Sequence, residues 1–206
     1  LPILLEAYTN LYRVWKNPLL EKQLKNLIAL FLNKIINSET YHLNLFFDEN
    51  WICKSSVQSF GHDIEASWLL DEAATVLGDA ETLQKVRNKV LRVADAAAEG
   101  LREDGGLMNE KDVSTNHLDT NSDWWPQAEA VVGFFNAYQL SKNESYLEKA
   151  IHSWNFIKEN LIDKENGEWY WSVSKDGQKD TLNDKAGFWK CPYHNSRMCL
   201  EILKRF

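Results

Sequence analysis

The sequence has 206 residues, of which 44% are hydrophobic and 12% aromatic, so it can bury a sizeable core, and we expect one domain over residues 1–206. The net charge of −7 and the lack of a ~20-residue apolar run argue against a nucleic-acid partner and a membrane span. Three cysteines without metal-ligand spacing predict a reducing compartment, so we expect a cytoplasmic protein.

The first part of the chain predicts two helices and a small hairpin. It opens on Leu1 rather than Met, with helical spacing from the start, so we expect it to be part of a longer protein. The first helix is predicted to end near residues 16–18, because Pro18 cannot continue a helix but can begin the next one. The second helix extends to about Ile36. Aromatic and turn residues over 42–51 predict the hairpin.

The middle of the chain predicts two helices and a long loop. The third helix begins at the motif around His62 and ends near Gly78, since glycine is the usual stop. The fourth runs from about Ala80 to Leu101. The polar segment from there to Asn121 is expected to be a loop, and loops of this length are commonly functional or mobile.

The last part of the chain predicts three helices and a strand. Ser122 or Asp123 is expected to cap the fifth helix, and Pro126 is acceptable in its first turn. The predicted elements are the fifth helix from Trp124, the sixth over about 145–161, a strand over 169–177 that reaches an Asp-Gly turn, and the seventh helix from about Tyr193.

The order of helix, hairpin or long loop, motif and helix occurs three times. His62, Pro126 and His194 occupy comparable places, separated by 64 residues (126 − 62) and 68 residues (194 − 126). The Glu-Ala pairs at 65–66 and 129–130 lie in register within this repeat. Such a period indicates stacked helical hairpins, because one hairpin cannot bury its apolar face alone. The predicted fold is therefore all-α, with short β-hairpins in the loops.

A toroid of such hairpins would direct all three motif-bearing helix starts to one rim. That rim would place His62, Trp125, Gln127 and His194 around a single pocket. Trp125 and Trp189 lie beside polar residues and turns, where flat indole faces can stack on sugar rings.

Three motifs carry a family resemblance. They are Gly-His-Asp-Ile-Glu at 61–65, Trp-Trp-Pro-Gln-Ala-Glu at 124–129 and Trp-Lys-Cys-Pro-Tyr-His-Asn at 189–195. In this order and spacing they resemble the N-acylglucosamine 2-epimerase family, most closely its cellobiose 2-epimerase branch. The resemblance covers essentially the whole chain. It implies the C-terminal half of an (α/α)6 toroid, a barrel of six helical hairpins.

The resemblance also implies roles for individual residues. His62 and His194 match the two catalytic histidines of the family, and Glu65 matches the acidic residue one turn after the first of them. Trp125 and Trp189 match aromatic residues that flank the bound sugar. The implied activity is interconversion of C2 epimers at the reducing end of a cellobiose-like disaccharide or an N-acetylhexosamine.

Histidines suit this chemistry. Epimerisation at C2 requires ring opening, removal of the proton beside the C1 aldehyde, and its return to the opposite face of an enediolate. A reference pKa of ~6.5 lets histidine act as acid or base near pH 7. We expect His194 to take and return the C2 proton and His62 to open and close the ring, although the sequence is equally compatible with the reverse. No metal or other cofactor is expected.

Three further residues are assigned to substrate binding. Glu65 is expected to hold His62 or a sugar hydroxyl, and Gln127 belongs to the same rim. Arg197 lies three residues after His194, on nearly the same helix face. Its guanidinium would either stabilise the enediolate oxygen or form an ion pair, and structural ion pairs are the commoner case.

Two other functions are compatible with the sequence. A glycoside hydrolase on a similar helical toroid would need paired carboxylates, for which Asp63, Glu65 and Glu129 are candidates, but both histidines would then lack a role. A non-catalytic sugar-binding module would keep only the aromatic rim. The expected partner is a small sugar. The face that would pack on N-terminal hairpins predicts self-association or pairing with that half.

Overall fold

Seven α-helices form three helical hairpins and a final single helix in the computed structural model, which describes residues 2–205 and leaves Leu1 and Phe206 outside the described residues. The last turns of the second and sixth helices widen into π-helical turns over Phe31–Ile35 and Ile157–Leu161. The helices are α1 (Pro2–Val14), α2 (Pro18–Leu30), α3 (Phe60–Leu77), α4 (Ala80–Ala98), α5 (Trp124–Ser141), α6 (Glu144–Phe156) and α7 (Tyr193–Arg205).

The helices pack in two rows. An inner row runs α1, α3, α5, α7, in which each helix contacts the next. An outer row consists of α2, α4 and α6, each of which packs against the inner helix that precedes it in the chain. This arrangement confirms the predicted all-α stack of helical hairpins.

The side-chain pattern of each helix follows from its row. The inner helices α3 and α5 are buried on nearly all sides, because other helices flank them and cover their outer faces. The outer helix α4 buries a single stripe, formed by Val86, Val90, Val93 and Ala97, at the spacing of an amphipathic helix. Within residues 2–205, no helix combines the length and the hydropathy that a membrane span requires.

Helix ends follow local chemistry. Asn17 Oδ1 accepts hydrogen bonds from the backbone N–H groups of Leu19 and Leu20, so α2 begins at Pro18 as predicted. Gly78 ends α3 in the left-handed region at φ +78°, which is also as predicted. Asp123 takes the N-cap place of α5, but its side chain makes no capping bond, contrary to the prediction.

The prediction of a long polar loop after α4 is wrong for residues 110–119, which fold as a β-hairpin. Strands β2 (Glu110–Asp112) and β3 (His117–Asp119) join β1 (Val57–Ser59) in an antiparallel sheet of order β1-β2-β3. These three-residue strands are mostly polar and show no alternation of apolar residues, so the sequence pattern does not predict them. Asn116, at φ +55°, supplies the turn.

Two other β predictions were only partly right. No strand forms over 42–51, where the chain makes isolated bridges between Ile36 and Leu43 and between Phe47 and Cys53. The strand predicted over 169–177 is confirmed but shorter, as β5 (Ser172–Val173), which pairs with β4 (Ser122–Asp123).

The loops after the outer helices repeat a single design. An antiparallel bridge closes each one, pairing Ile36 with Leu43, Leu101 with Leu107, and Ile162 with Trp169. In each loop an Asx side chain accepts bonds from nearby backbone N–H groups, namely Asn37, Asp104 and Asp163. These closed loops lie on the path back to the next inner helix, and the second and third of them are followed by β2 and β5.

Candidate active site

The starts of three inner helices line one cleft of about 580 Å³. His62 comes from α3, Trp125 from α5 and His194 from α7, and the segment 43–46 forms part of the wall. The expected convergence of the three motifs at one rim is therefore confirmed for these side chains.

The Trp125 indole packs against both imidazoles. Its ring centroid is 4.8 Å from that of His62 and 5.5 Å from that of His194. A Cβ added at Gly61 would lie 2.6 Å from Trp125 Cη2, so only glycine permits this approach of α3 and α5. The indole thus contacts both imidazoles and gives the cleft a flat apolar surface.

His194 is held by a buried carboxylate. Its Nδ1 lies 2.8 Å from Glu129 Oε1, and Glu129 Oε2 accepts a hydrogen bond of 2.9 Å from the Trp68 indole. Because an ionised carboxylate only accepts hydrogen bonds, Nδ1 carries a proton, and in the neutral imidazole Nε2 has the free lone pair. No residue in the described part of the chain bonds this Nε2, which is therefore available to a ligand in the cleft.

Glu129 is ionised despite its burial. Burial alone would raise the pKa of its carboxyl, but the hydrogen bond from His194 and the charge of Arg197 outweigh this and hold the pKa below its usual value. The anion beneath His194 stabilises the imidazolium that would form when this histidine accepts a proton.

His62 has a neutral partner instead. Its Nδ1 lies 2.8 Å from the Ser59 hydroxyl oxygen. Burial lowers the pKa of His62 to about 4, so its imidazole is neutral at pH 7. The two histidines of the cleft therefore differ in partner and charge environment.

Arg197 joins three carboxylates behind the histidines. Its Nη2 donates to Glu65 Oε1 and to Glu129 Oε1 at 2.7 Å each, and its Nη1 donates to Glu6 Oε2 at 2.5 Å. Of the two roles expected for Arg197, the structure shows the ion pair. Burial opposes charge on the guanidinium, but Glu129 and Glu65 outweigh it and raise the pKa of Arg197.

Glu65 faces the cleft but does not hold His62. Its described polar partner is Arg197. Burial and the neighbouring charge of Glu129 raise the pKa of Glu65 above its usual value. Its predicted contact with a sugar hydroxyl stays a prediction, and its predicted bond to His62 is replaced by the one from Ser59.

The sequence analysis gave no role in the epimerase site to Glu129 or Glu6. The signal was present, because the Glu-Ala pair recurs at Glu6, Glu65 and Glu129, and Arg197 occupies the same register in α7. One arginine among three glutamates at equivalent positions predicts an ion cluster once the inner helices are neighbours.

Gln127 requires a correction. It is 0% exposed, and its side chain bonds the backbone of Leu107, which donates its N–H to Oε1 at 2.6 Å and accepts from Nε2 at 2.8 Å. The side chain closes the loop before α5 and does not reach the cleft. Asp63 has the same place in α3 and likewise accepts from Leu43 N–H at 2.7 Å. In α3 and α5 this register position fastens the preceding loop to the helix.

Trp189 lies at the edge of the cleft and is 80% exposed. Its neighbour Lys190 is fully buried and donates to the backbone carbonyls of Trp169 at 2.5 Å and Lys185 at 2.8 Å. Burial lowers the pKa of Lys190. The buried lysine anchors the loop that presents the exposed indole.

The carboxylates do not form a hydrolase pair. Of the three candidates, only Glu65 lines the cleft. Asp63 is bound to His42 Nδ1 at 2.6 Å, and Glu129 lies under His194. Glu65, Glu129 and His194 offer ligand atoms within 4.8 Å of one another, but the Arg197 guanidinium already bonds both carboxylates. That fixed positive charge disfavours a divalent cation at the same atoms.

Comparison with known proteins agrees with this geometry. The family model for N-acylglucosamine 2-epimerase (GlcNAc 2-epimerase) matches residues 3–197. The chain is 54% identical over 200 residues to a cellobiose 2-epimerase of Bacteroides fragilis, covering 97% of this chain and 51% of that protein. The chain is also 41% identical over 203 residues to a cellobiose 2-epimerase of Dictyoglomus turgidum, covering 98% of this chain and 51% of that protein.

A solved structure gives the same result. The cellobiose 2-epimerase from Bacillus thermoamylovorans matches with a TM-score of 0.93 at 43% identity, covering 98% of this chain and 51% of that chain. The chain thus spans about half the length of the curated relatives it matches.

Proposed function

Because this chain belongs to the N-acylglucosamine 2-epimerase family, we propose that it supplies the acid-base half of a sugar 2-epimerase. The substrate is a reducing sugar, either a cellobiose-like disaccharide or an N-acetylhexosamine. The observation that supports this most directly is the pair of imidazoles that line one cleft and both contact Trp125.

His194 is proposed as the base that acts at C2. Its Nε2 lone pair takes the proton beside the aldehyde, and Glu129 stabilises the resulting imidazolium. The enediolate then presents its other face, and the same nitrogen returns the proton to give the epimer. The proton gained by His194 in the first step is lost in the second, so the enzyme returns to its starting state.

His62 is proposed to act at the oxygen atoms. Ring opening moves a proton between O1 and the ring oxygen, and a neutral imidazole beside these atoms can assist it. Trp125 and Trp189 are proposed to stack on the sugar, with Trp125 at the reducing-end ring between the histidines and Trp189 at the outer edge.

We further propose that the chain is the C-terminal half of an (α/α)6 toroid. Both ends of the inner row expose apolar side chains, with Ile3 and Val14 on α1 and Leu200 and Leu203 on α7. Such surfaces favour pairing with an N-terminal half, or self-association when that half is missing. Light scattering would show dimers or larger species for the chain alone, and a stable monomer would contradict this. A cytoplasmic location is proposed from the three free cysteines.

The test of the activity is proton NMR in deuterated water with cellobiose, N-acetylglucosamine and mannose. We expect loss of the C2 proton signal and appearance of the C2 epimer with the full-length protein. Exchange with these 206 residues alone would place the essential acid-base pair within them. Cleavage of cellobiose to glucose would indicate a hydrolase instead. No exchange with a folded full-length protein on any of the three sugars would refute the proposal.

A further inference from the structure

Ser59 has the position of a helix cap but does not act as one. It is the N-cap residue of α3, with φ −108° and ψ 107°, yet its side chain accepts no hydrogen bond from the first turn. Serine at this place normally satisfies one of the free N–H groups of the helix. Here the hydroxyl instead lies 2.8 Å from His62 Nδ1.

The sheet holds Ser59 in this place. Ser59 is the last residue of β1 and pairs with Glu110 of β2, and the N–H of Phe60 donates to Asn109 O at 3.2 Å. The β2–β3 hairpin therefore fixes the backbone from which the hydroxyl reaches the imidazole.

The acceptors available to the Ser59 hydroxyl decide whether Ser59 or His62 is the donor in this hydrogen bond. Ser59 is 6% exposed, and among the described residues its hydroxyl has His62 Nδ1 as its one side-chain partner. If Nδ1 carried the proton, the buried hydroxyl hydrogen would lack an acceptor, at a cost of about 1–3 kcal/mol. If the hydroxyl donates to Nδ1, that hydrogen is satisfied, and the imidazole proton lies on Nε2.

We infer that Ser59 is a positioning residue that holds His62 in the Nε2–H tautomer, opposite to the tautomer that Glu129 imposes on His194. A ligand in the cleft then meets a hydrogen-bond donor at His62 Nε2 and an acceptor at His194 Nε2, and both imidazoles contact Trp125.

This inference rests on the proposed epimerase function for its chemical consequence. In the enolisation step the C2 proton passes to His194 Nε2, and negative charge develops on O1. His62 loses no proton in that step, because its Nε2–H donates a hydrogen bond to O1. A neutral imidazole can polarise a carbonyl in this way.

Nitrogen-15 NMR of histidine-labelled full-length protein tests the tautomers directly. We expect a protonated, pyrrole-type Nε2 and a bare, pyridine-type Nδ1 for His62, and the reverse for His194. Ser59→Ala should mix the two tautomers of His62 and leave those of His194 unchanged. A proton on Nδ1 of His62 in the unmodified protein would overturn the inference, whether or not the protein proves to be an epimerase.

Kinetics supply the second measurement. Ser59→Ala should lower kcat for C2 exchange by roughly 10-fold with KM little changed, a smaller loss than the ~100-fold or more expected for removal of an acid-base group. Ser59→Thr keeps a hydroxyl and should restore most of the rate. Ser59→Ala should lower the free energy of unfolding only by about the 0.5–1.5 kcal/mol of one side-chain hydrogen bond, since no capping bond is lost. An unchanged kcat in Ser59→Ala beside an inactive His62→Asn would refute the inference and leave the proposed function standing.

Discussion

The starts of α3 and α7 place a histidine at the same point of the repeat but surround it differently. His62 has a neutral partner, Ser59, and burial holds its pKa low. His194 rests on the buried carboxylate of Glu129, which Arg197 holds in turn. The comparison teaches that the helical repeat fixes where an imidazole lies, whereas the group on its Nδ1 decides what the imidazole can do.

A second register position explains how the difference arises. Three residues after each of the two histidines comes a group of the ion cluster, Glu65 in α3 and Arg197 in α7. The arginine neutralises the glutamates of its neighbours, so a carboxylate can remain ionised beneath one histidine without a metal ion at those atoms.

Replacing each histidine should give the largest effects. His62→Asn and His194→Asn in the full-length protein should each lower kcat for epimerisation about 10²–10⁴-fold, because each removes a group that moves or holds a proton. NMR of the C2 signal in deuterated water measures both. Retention of more than half of the normal rate by either variant would break the comparison, since only one imidazole would then be needed.

Arg197→Met should have the next largest effect, on stability. It leaves Glu65 and Glu129 buried without their counter-charge, and we expect the free energy of unfolding to fall by about 3–5 kcal/mol. The matched control is Arg13→Met at the half-exposed pair with Glu72, where about 0–1 kcal/mol is expected. Urea unfolding measures both changes in the free energy of unfolding. Equal losses would show that the buried cluster around Arg197 contributes no more than the half-exposed pair.

The pH dependence of stability should report the burial of His62 as a neutral group. The pKa of folded His62 is about 4, below the unfolded value of ~6.5, so the unfolded state binds the proton first. The contribution of neutral His62 to the free energy of unfolding is fully present above pH 6.5 and is lost as the pH falls to 4, by about 3 kcal/mol. Glu65, whose pKa is raised, has the opposite slope. The difference between the unmodified protein and His62→Asn in urea unfolding therefore isolates His62, and identical pH profiles would count against its burial as a neutral group.

The smallest effect concerns the loop position beside the histidines. Gln127→Leu should lower the free energy of unfolding by about 1–3 kcal/mol, because the backbone N–H and carbonyl of Leu107 lose their partner. KM should stay near normal in this variant, whereas Trp125→Ala should raise it. Steady-state kinetics on folded protein decide between the two, and a KM rise in Gln127→Leu as large as that in Trp125→Ala would restore Gln127 to the substrate site.

Periodicity and helix breaks sufficed for most of the fold. The boundaries at Pro18 and Gly78 depend on backbone chemistry that a sequence shows directly. The strands at 110–112 and 117–119 could not be found in this way, because they are short, mostly polar and defined only by their pairing with β1. Strand pairing of this kind depends on tertiary contacts, which local sequence patterns do not show.

The candidate site likewise contains residues whose positions the sequence predicts and residues whose positions depend on tertiary packing. His62, Trp125 and His194 lie at helix starts, so the motif spacing alone brings them to one cleft. Gln127 was misplaced because adjacent residues on a helix point in different directions, and sequence proximity to Trp125 says nothing of orientation. The partners Ser59 and Glu129 depend on side-chain directions that only the packed helices define.

The bond between Glu6 and Arg197 joins residues 191 positions apart, and this has a consequence for how the protein is made. At about 5–20 residues per second on the ribosome, α7 emerges on the order of 10–40 s after α1. Within that interval α3 and then α5 emerge without the cation that their glutamates require, so Glu65 and Glu129 must stay hydrated or protonated until α7 docks. Closing so long a loop is slow. The cleft at the starts of α3, α5 and α7 is therefore the last part of residues 2–205 to form, and its assembly reports that synthesis has reached α7.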